Sequence, residues 1–210
     1  MMTRLIKNWY FISVFMAGLF ALVLGIGSWN WSQKMILVNT IFIFLHFFEE
    51  FGFPGGFPPI AMKTELKLAS DDPTEWPLNH VSAWFGNWWF ALSVYLLALC
   101  LPEVKFLTLT VALFSFAELA MHTLYFPLAL KKVYNSGLIT VLIGLAPMSV
   151  VYLLGQWQSF TIWDYLLALV WMFFQYWLAF RSPIYQKLGK YSQDYGFSKE
   201  EIARADWMMK

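Results

Sequence analysis

Six long apolar stretches alternate with short polar ones along the chain, at 9–27, 35–53, 81–101, 106–130, 137–155 and 163–180. Each approaches the roughly 20 residues that a helix needs to cross a bilayer. The pattern predicts an all-α integral membrane protein. Residues 1–180 would form a bundle of about six transmembrane helices, and 181–210 a soluble tail with a short helix. Arg4 and Lys7 precede the first stretch, as in a signal peptide. Its apolar run exceeds the roughly 7–15 residues of a signal core, so it reads as a retained helix. Pro147 should kink the fifth helix. The one long connection, 54–80, opens on "PGGFPP", read as excluding helix, and continues as polar sequence expected at the membrane surface. In the tail, "FSKEEI" predicts a helix start, with Ser198 as cap, Glu201 closing a capping box, and Phe197 and Ile202 as a hydrophobic staple.

Composition agrees. The chain is 60% hydrophobic and 13% charged, about half the charged share of a soluble domain. A net charge of +1 gives no electrostatic case for a nucleic-acid partner. The single cysteine, Cys100, rules out an internal disulfide and a thiolate cluster. Lys and Arg are distributed twelve to two between the two sets of connections, with only Lys34 and Lys105 on the poorer face. By the positive-inside bias both termini should be cytoplasmic, with which an even number of spans agrees, and a plasma (cytoplasmic) membrane is the expected location. Trp9, Trp29, Trp31, Trp157, Trp163 and Trp177 fall near segment ends, as an interfacial belt should.

The second stretch breaks the apolar pattern. In "FIFLHFFEEFGFPGGFPP", residues 42–59, His46, Glu49 and Glu50 interrupt a run of Phe, Leu and Ile. Helical spacing puts His46 with Glu49 and with Glu50 on one face. The predicted topology sets Asn79 and His80 at the cytoplasmic mouth of the third helix and Asn87 about 10 Å deeper. Glu118 and His122, an i, i+4 pair, lie in the same leaflet of the fourth. Each ionised carboxylate in the membrane costs on the order of 2.5–3.5 kcal/mol, and no Lys or Arg lies within the hydrocarbon part of these segments. That leaves protonation, hydrogen bonding to imidazole, or a bound cation. A His and carboxylate mixture suits a divalent metal, zinc or iron. The candidate ligands are His46, Glu49, Glu50, Glu118, His122 and His80, with Glu50 as general acid/base and Asn79 and Asn87 as substrate contacts or supports of the ligands. Asn79 also reads as a helix cap, and Asn87 as an interhelical hydrogen bond. Asp164 reads as a helix N-terminal acid and Gln175 as packing glue.

The segment "HFFEE", followed by the Pro- and Gly-rich turn, resembles the motif that names the HXXEE family of uncharacterised multi-span membrane proteins. "NH" at 79–80 and "ExxxH" at 118–122 add to the resemblance, which covers roughly the second through fifth helices. It implies a membrane protein with a shared polar site, and no reaction comes with it. The residues themselves predict a membrane-embedded, metal-dependent hydrolase or oxidoreductase of a lipid-like or apolar small molecule, in contact with the lipid bilayer. The alternatives from the same cluster are a proton-coupled transporter and a metal-free lipid isomerase. Sterol-isomerase-like proteins are similar in residue type only.

Overall fold

The computed structural model describes residues 2–209, and among them it is all helix and turn, with no strand. The long helices are α1 (Trp9–Ile26), α2 (Trp31–Phe51), α3 (His80–Cys100), α4 (Lys105–Leu130), α5 (Leu138–Ser159) and α6 (Ile162–Phe180). Beyond Arg181 and Ser182, α6 is continued by the short helix Pro183–Gly189. Five of the six are long and apolar enough to cross a membrane; α2 is the exception. At 21 residues α2 spans about 31 Å, long enough, but Lys34, Asn39, His46, Glu49 and Glu50 dilute its apolar character. It is the central helix instead, buried along most of its length from Met35 to Phe51.

Caps set several starts. Asn30 Oδ1 accepts a hydrogen bond from the Gln33 backbone N–H and Gln33 Oε1 accepts one from the Asn30 backbone N–H, so α2 begins four residues before the apolar run. Asn79 and Ser82 do the same for α3, and Thr161 and Asp164 for α6. The outward faces are apolar: Phe15, Leu22 and Ile26 on α1 and Val170, Phe173 and Trp177 on α6 are exposed. Such a surface suits hydrocarbon rather than water. At the bundle centre the Ser115 hydroxyl donates to Asn39 Oδ1 at 3.0 Å, with Ser149 Oγ 3.5 Å from the same oxygen. This knot ties α4 and α5 to α2. Gln175 accepts from Trp89 Nε1 at 3.0 Å and holds α6 to α3.

Two prolines reshape the helices that build the site. A proline cannot donate to the carbonyl four residues back, and its ring crowds that carbonyl. Just before Pro127 the Phe126 N–H reaches back five residues to Met121, and just before Pro147 the Ala146 N–H reaches Val141. The result is a π-turn over Met121–Tyr125, which contains His122, and another over Val141–Leu145, directly after Thr140. Turns of this kind recur at functional sites.

The "PGGFPP" run differs from expectation. A helix, Phe57–Thr64, begins inside it, with Pro58 and Pro59 in the first turn. There a missing N–H has no intrahelical partner to lose. Gly55 and Gly56 before it have φ of +74° and +93°, a region that disfavours side chains. The tail forms the capping box read at Ser198 and Glu201 and packs against this turn. Arg204 donates to the Gly52 carbonyl, and a Cβ at Gly56 would lie 2.9 Å from the Ala205 nitrogen.

Candidate functional site

Four side chains from two helices meet. From α2 come His46 and Glu50, and from α4 come Glu118 and His122. His46 Nε2 lies 3.4 Å from Glu50 Oε1 and 3.7 Å from Glu118 Oε2. His122 Nε2 lies 3.6 Å and 3.4 Å from the same two oxygens. Nitrogen and oxygen thus alternate around a ring. His46, Glu118 and His122 can each offer one ligand atom within 4.8 Å of the others, so the group can hold a metal ion. The edge lengths bear on this. Charge-assisted hydrogen bonds run about 2.7–2.9 Å, and these separations are longer. A tetrahedral ion with bonds of about 2.0–2.1 Å spaces its ligand atoms about 3.3–3.4 Å apart, close to the four His–carboxylate edges, while the set mutually within 4.8 Å is His46, Glu118 and His122.

Both imidazoles are oriented from behind. His122 Nδ1 lies 2.6 Å from Asn135 Oδ1, and the Asn135 amide nitrogen donates to the His122 carbonyl, which fixes the oxygen as the acceptor. His46 Nδ1 lies 2.9 Å from Thr140 Oγ1. That hydroxyl gives its own proton to Glu49 Oε2 at 2.7 Å, so it accepts from the ring. Both rings therefore carry hydrogen on Nδ1 and turn Nε2 into the site, the arrangement that supports metal-binding histidines. Gly137 completes the fit. It has φ +104°, and a Cβ there would collide with Cε1 of both His46 and His122.

Glu49 sits apart from the ring. Its oxygens accept from the Ile139 N–H (3.0 Å), the Thr140 N–H (2.8 Å), the Thr140 hydroxyl and Tyr134 OH (3.1 Å). It caps the N-terminus of α5 from another helix, where a carboxylate is favoured. The other departures lie on α3. His80 Nε2 faces Glu201 Oε2 of the tail at 3.3 Å, and Tyr10 OH donates to Glu201 Oε1 at 3.3 Å. His80 is thus not brought to the ring. Burial pushes the Glu201 carboxyl up, but hydrogen bonds from His80 and Ser198 bring it below its ordinary value. Asn79 caps α3 and donates to Leu188 and Gly189, away from the site. Asn87 lines the cavity described next, and its amide donates to Ala83 of its own helix rather than across to another.

The ring opens on a cavity of about 330 Å³. Its walls are mostly apolar, with Ile43, Phe90, Phe114 and Met172 at the level deeper in the bundle. Glu65, Tyr176, Arg181 and Tyr185 line the other end. Asn135, Thr140 and Gly137 support the ring, and Glu65 and Arg181 share its cavity; the sequence reading passed over all five. Only the proximity of "NSG" and Thr140 to a helix start hinted at the first three.

Burial, reinforced by Glu50 and Glu118, raises the Glu65 carboxyl from 4.5 to about 7. The folded chain thus holds this proton more tightly than the unfolded one. Glu65 favours folding most below 4.5, and that contribution fades as pH rises toward 7. A higher melting temperature is expected at about pH 5 than at about pH 7.5, with Glu65→Gln shrinking the difference. A gap of the same size in the variant would assign it to other groups.

The fold and site define an all-helical protein with five helices able to cross a membrane and a buried His/Glu group able to hold a metal. Residues 37–152 match the family described as "Protein of unknown function with HXXEE motif". The chain belongs to that family, and the motif is His46, Glu49 and Glu50. No curated protein and no solved structure matches it.

Proposed function

We propose that the chain is a membrane-embedded, metal-dependent enzyme acting on a lipid-like or apolar small molecule. In this reading all six long helices span the plasma membrane, both termini are cytoplasmic, and the site lies in the cytoplasmic leaflet. The observation that carries it is the ring of two Nε2 atoms and two carboxylate oxygens, 3.4–3.7 Å apart along its edges, opening on an apolar cavity. His46, Glu118 and His122 hold the ion. Glu50 stands at the fourth corner, where it completes the ligand set or, left free, takes and returns a proton as general acid/base. A divalent ion would supply Lewis-acid chemistry for hydrolysis if zinc, or redox chemistry for oxidation if iron.

Charge supports a single ion. With Glu49 answered by the start of α5, the ring holds two carboxylates and two neutral imidazoles. One divalent cation brings that set to zero. Two imidazolium rings would do so as well, which is the metal-free, proton-transfer reading. The ring's separations, longer than charged hydrogen bonds, favour the ion.

Protein purified in detergent without added metal is expected to carry about one equivalent of a divalent metal, falling at least about tenfold in His122→Ala. Less than about a tenth of an equivalent in well-folded wild type would overturn the metal reading. Activity persisting under strong chelation would favour the isomerase-like alternative.

A further inference from the structure

The cavity has a polar end that the metal chemistry does not use. Arg181 lines it at the end of α6, and among the described residues its guanidinium makes no ion pair. Tyr176 and Tyr185 line the same end, with Arg181 acting electrostatically on both. A guanidinium remains charged at any working pH and grips carboxylate or phosphate oxygens in a fork. The neighbouring carboxyl, Glu65, holds its proton up to about pH 7.

The opposite end is apolar, and size limits what can fill it. Met172 lies nine residues before Arg181, about 13 Å along a helix axis. A volume of about 330 Å³ sits at the low end of the roughly 300–1,000 Å³ of small-molecule pockets, a size that suits one chain better than the two acyl chains of a bilayer phospholipid. Phe173 lines the cavity yet is 64% exposed on α6, so the wall reaches the lipid-facing surface and a longer chain can extend outward.

We propose that the cavity takes a single-chain amphiphile with an acidic head, a carboxylate or phosphate, held by Arg181 with its chain lying toward Ile43, Phe90 and Phe114. This deepens the reading of the site as a substrate site by naming the substrate class. The ring lies between head and chain end, beside the part of the chain nearest the head. Arg181 acts as a specificity-determining residue.

The test uses chelated, metal-free protein in nanodiscs, so it does not depend on the metal. The probes are a diazirine-bearing long-chain fatty acid, the matching alcohol and the matching alkyl phosphate. The acid or the phosphate is expected to label the cavity wall at least about tenfold more than the alcohol, the scale of a charge-assisted contact. The more strongly labelling of the two identifies the head. Arg181→Gln should reduce labelling to the alcohol level, and Arg181→Lys should restore much of it. Equal labelling by acid, phosphate and alcohol, or acid-selective labelling unchanged in Arg181→Gln, would overturn the proposal. Acid-selective labelling in a protein that never carries metal would uphold this inference while the metal reading fails.

Discussion

Gly137→Ala is expected to weaken metal binding about 10–100-fold while leaving every candidate ligand in place. The added methyl has nowhere to go. It would meet Cε1 of His46 and Cε1 of His122 at once, and the two rings stand edge to face with centroids 4.9 Å apart. Moving either ring breaks its hydrogen bond to Thr140 or Asn135 and swings Nε2 out of the site. Loss of such supporting contacts lowers metal affinity about 10–100-fold, and a side chain held at positive φ adds about 1–3 kcal/mol of strain. Metal content and thermal stability measured together check this. Full loading in the variant would mean that the histidines are not held where the structure puts them.

Glu49→Ala and Glu50→Ala, neighbours in the motif, are expected to fail in opposite ways. Glu49 accepts four hydrogen bonds from Tyr134, Ile139 and Thr140. Its removal strands these donors at the start of α5, a loss of about 3–5 kcal/mol in the range seen when one side of a buried charged contact is deleted. Among the described residues, the ion-pair partners of Glu50 are the two imidazoles, at 3.4 and 3.6 Å. Its loss should cost the metal site far more than the metal-free fold. Denaturant unfolding of the two metal-free variants in detergent decides the matter. Equal destabilisation would dissolve the distinction between a capping and a ligating glutamate.

Much of this was legible in the sequence because apolar run length reports helix length directly. The six stretches became six long helices, and the ends that shifted did so at caps such as Asn30. The pairing of His46 with Glu50 and of Glu118 with His122 followed from helical spacing. What spacing could not fix was rotation about the bundle axis. At about 100° per residue, Glu50 falls about 40° to one side of His46 and Glu49 about 60° to the other. One faces α4 and the other α5. The same limit misplaced His80. Its partner is Glu201, from a tail read as soluble. Asn135, Thr140, Glu65 and Arg181 were passed over because short polar and charged residues at helix ends look alike, whether they cap, mark topology or line a site. The helix after Gly56 was missed because two prolines signal a break unless they fall in a first turn.

The bond between Thr140 and Glu49 also sets an order of events during synthesis. The two residues are 91 positions apart, so at about 5–20 residues per second the carboxylate waits roughly 5–18 s for its partner. Arg204 follows Gly52 by 152 positions, later still. Through that interval α2 carries its polar motif with no α4 or α5 to receive it, and it is the one long helix not apolar enough to be retained in lipid on hydropathy alone. The helix at the centre of the finished bundle is therefore expected to be among the last to settle. Nascent chains stalled before Thr140 should leave residues near Glu49 open to water-soluble reagents that no longer reach them once α5 has emerged.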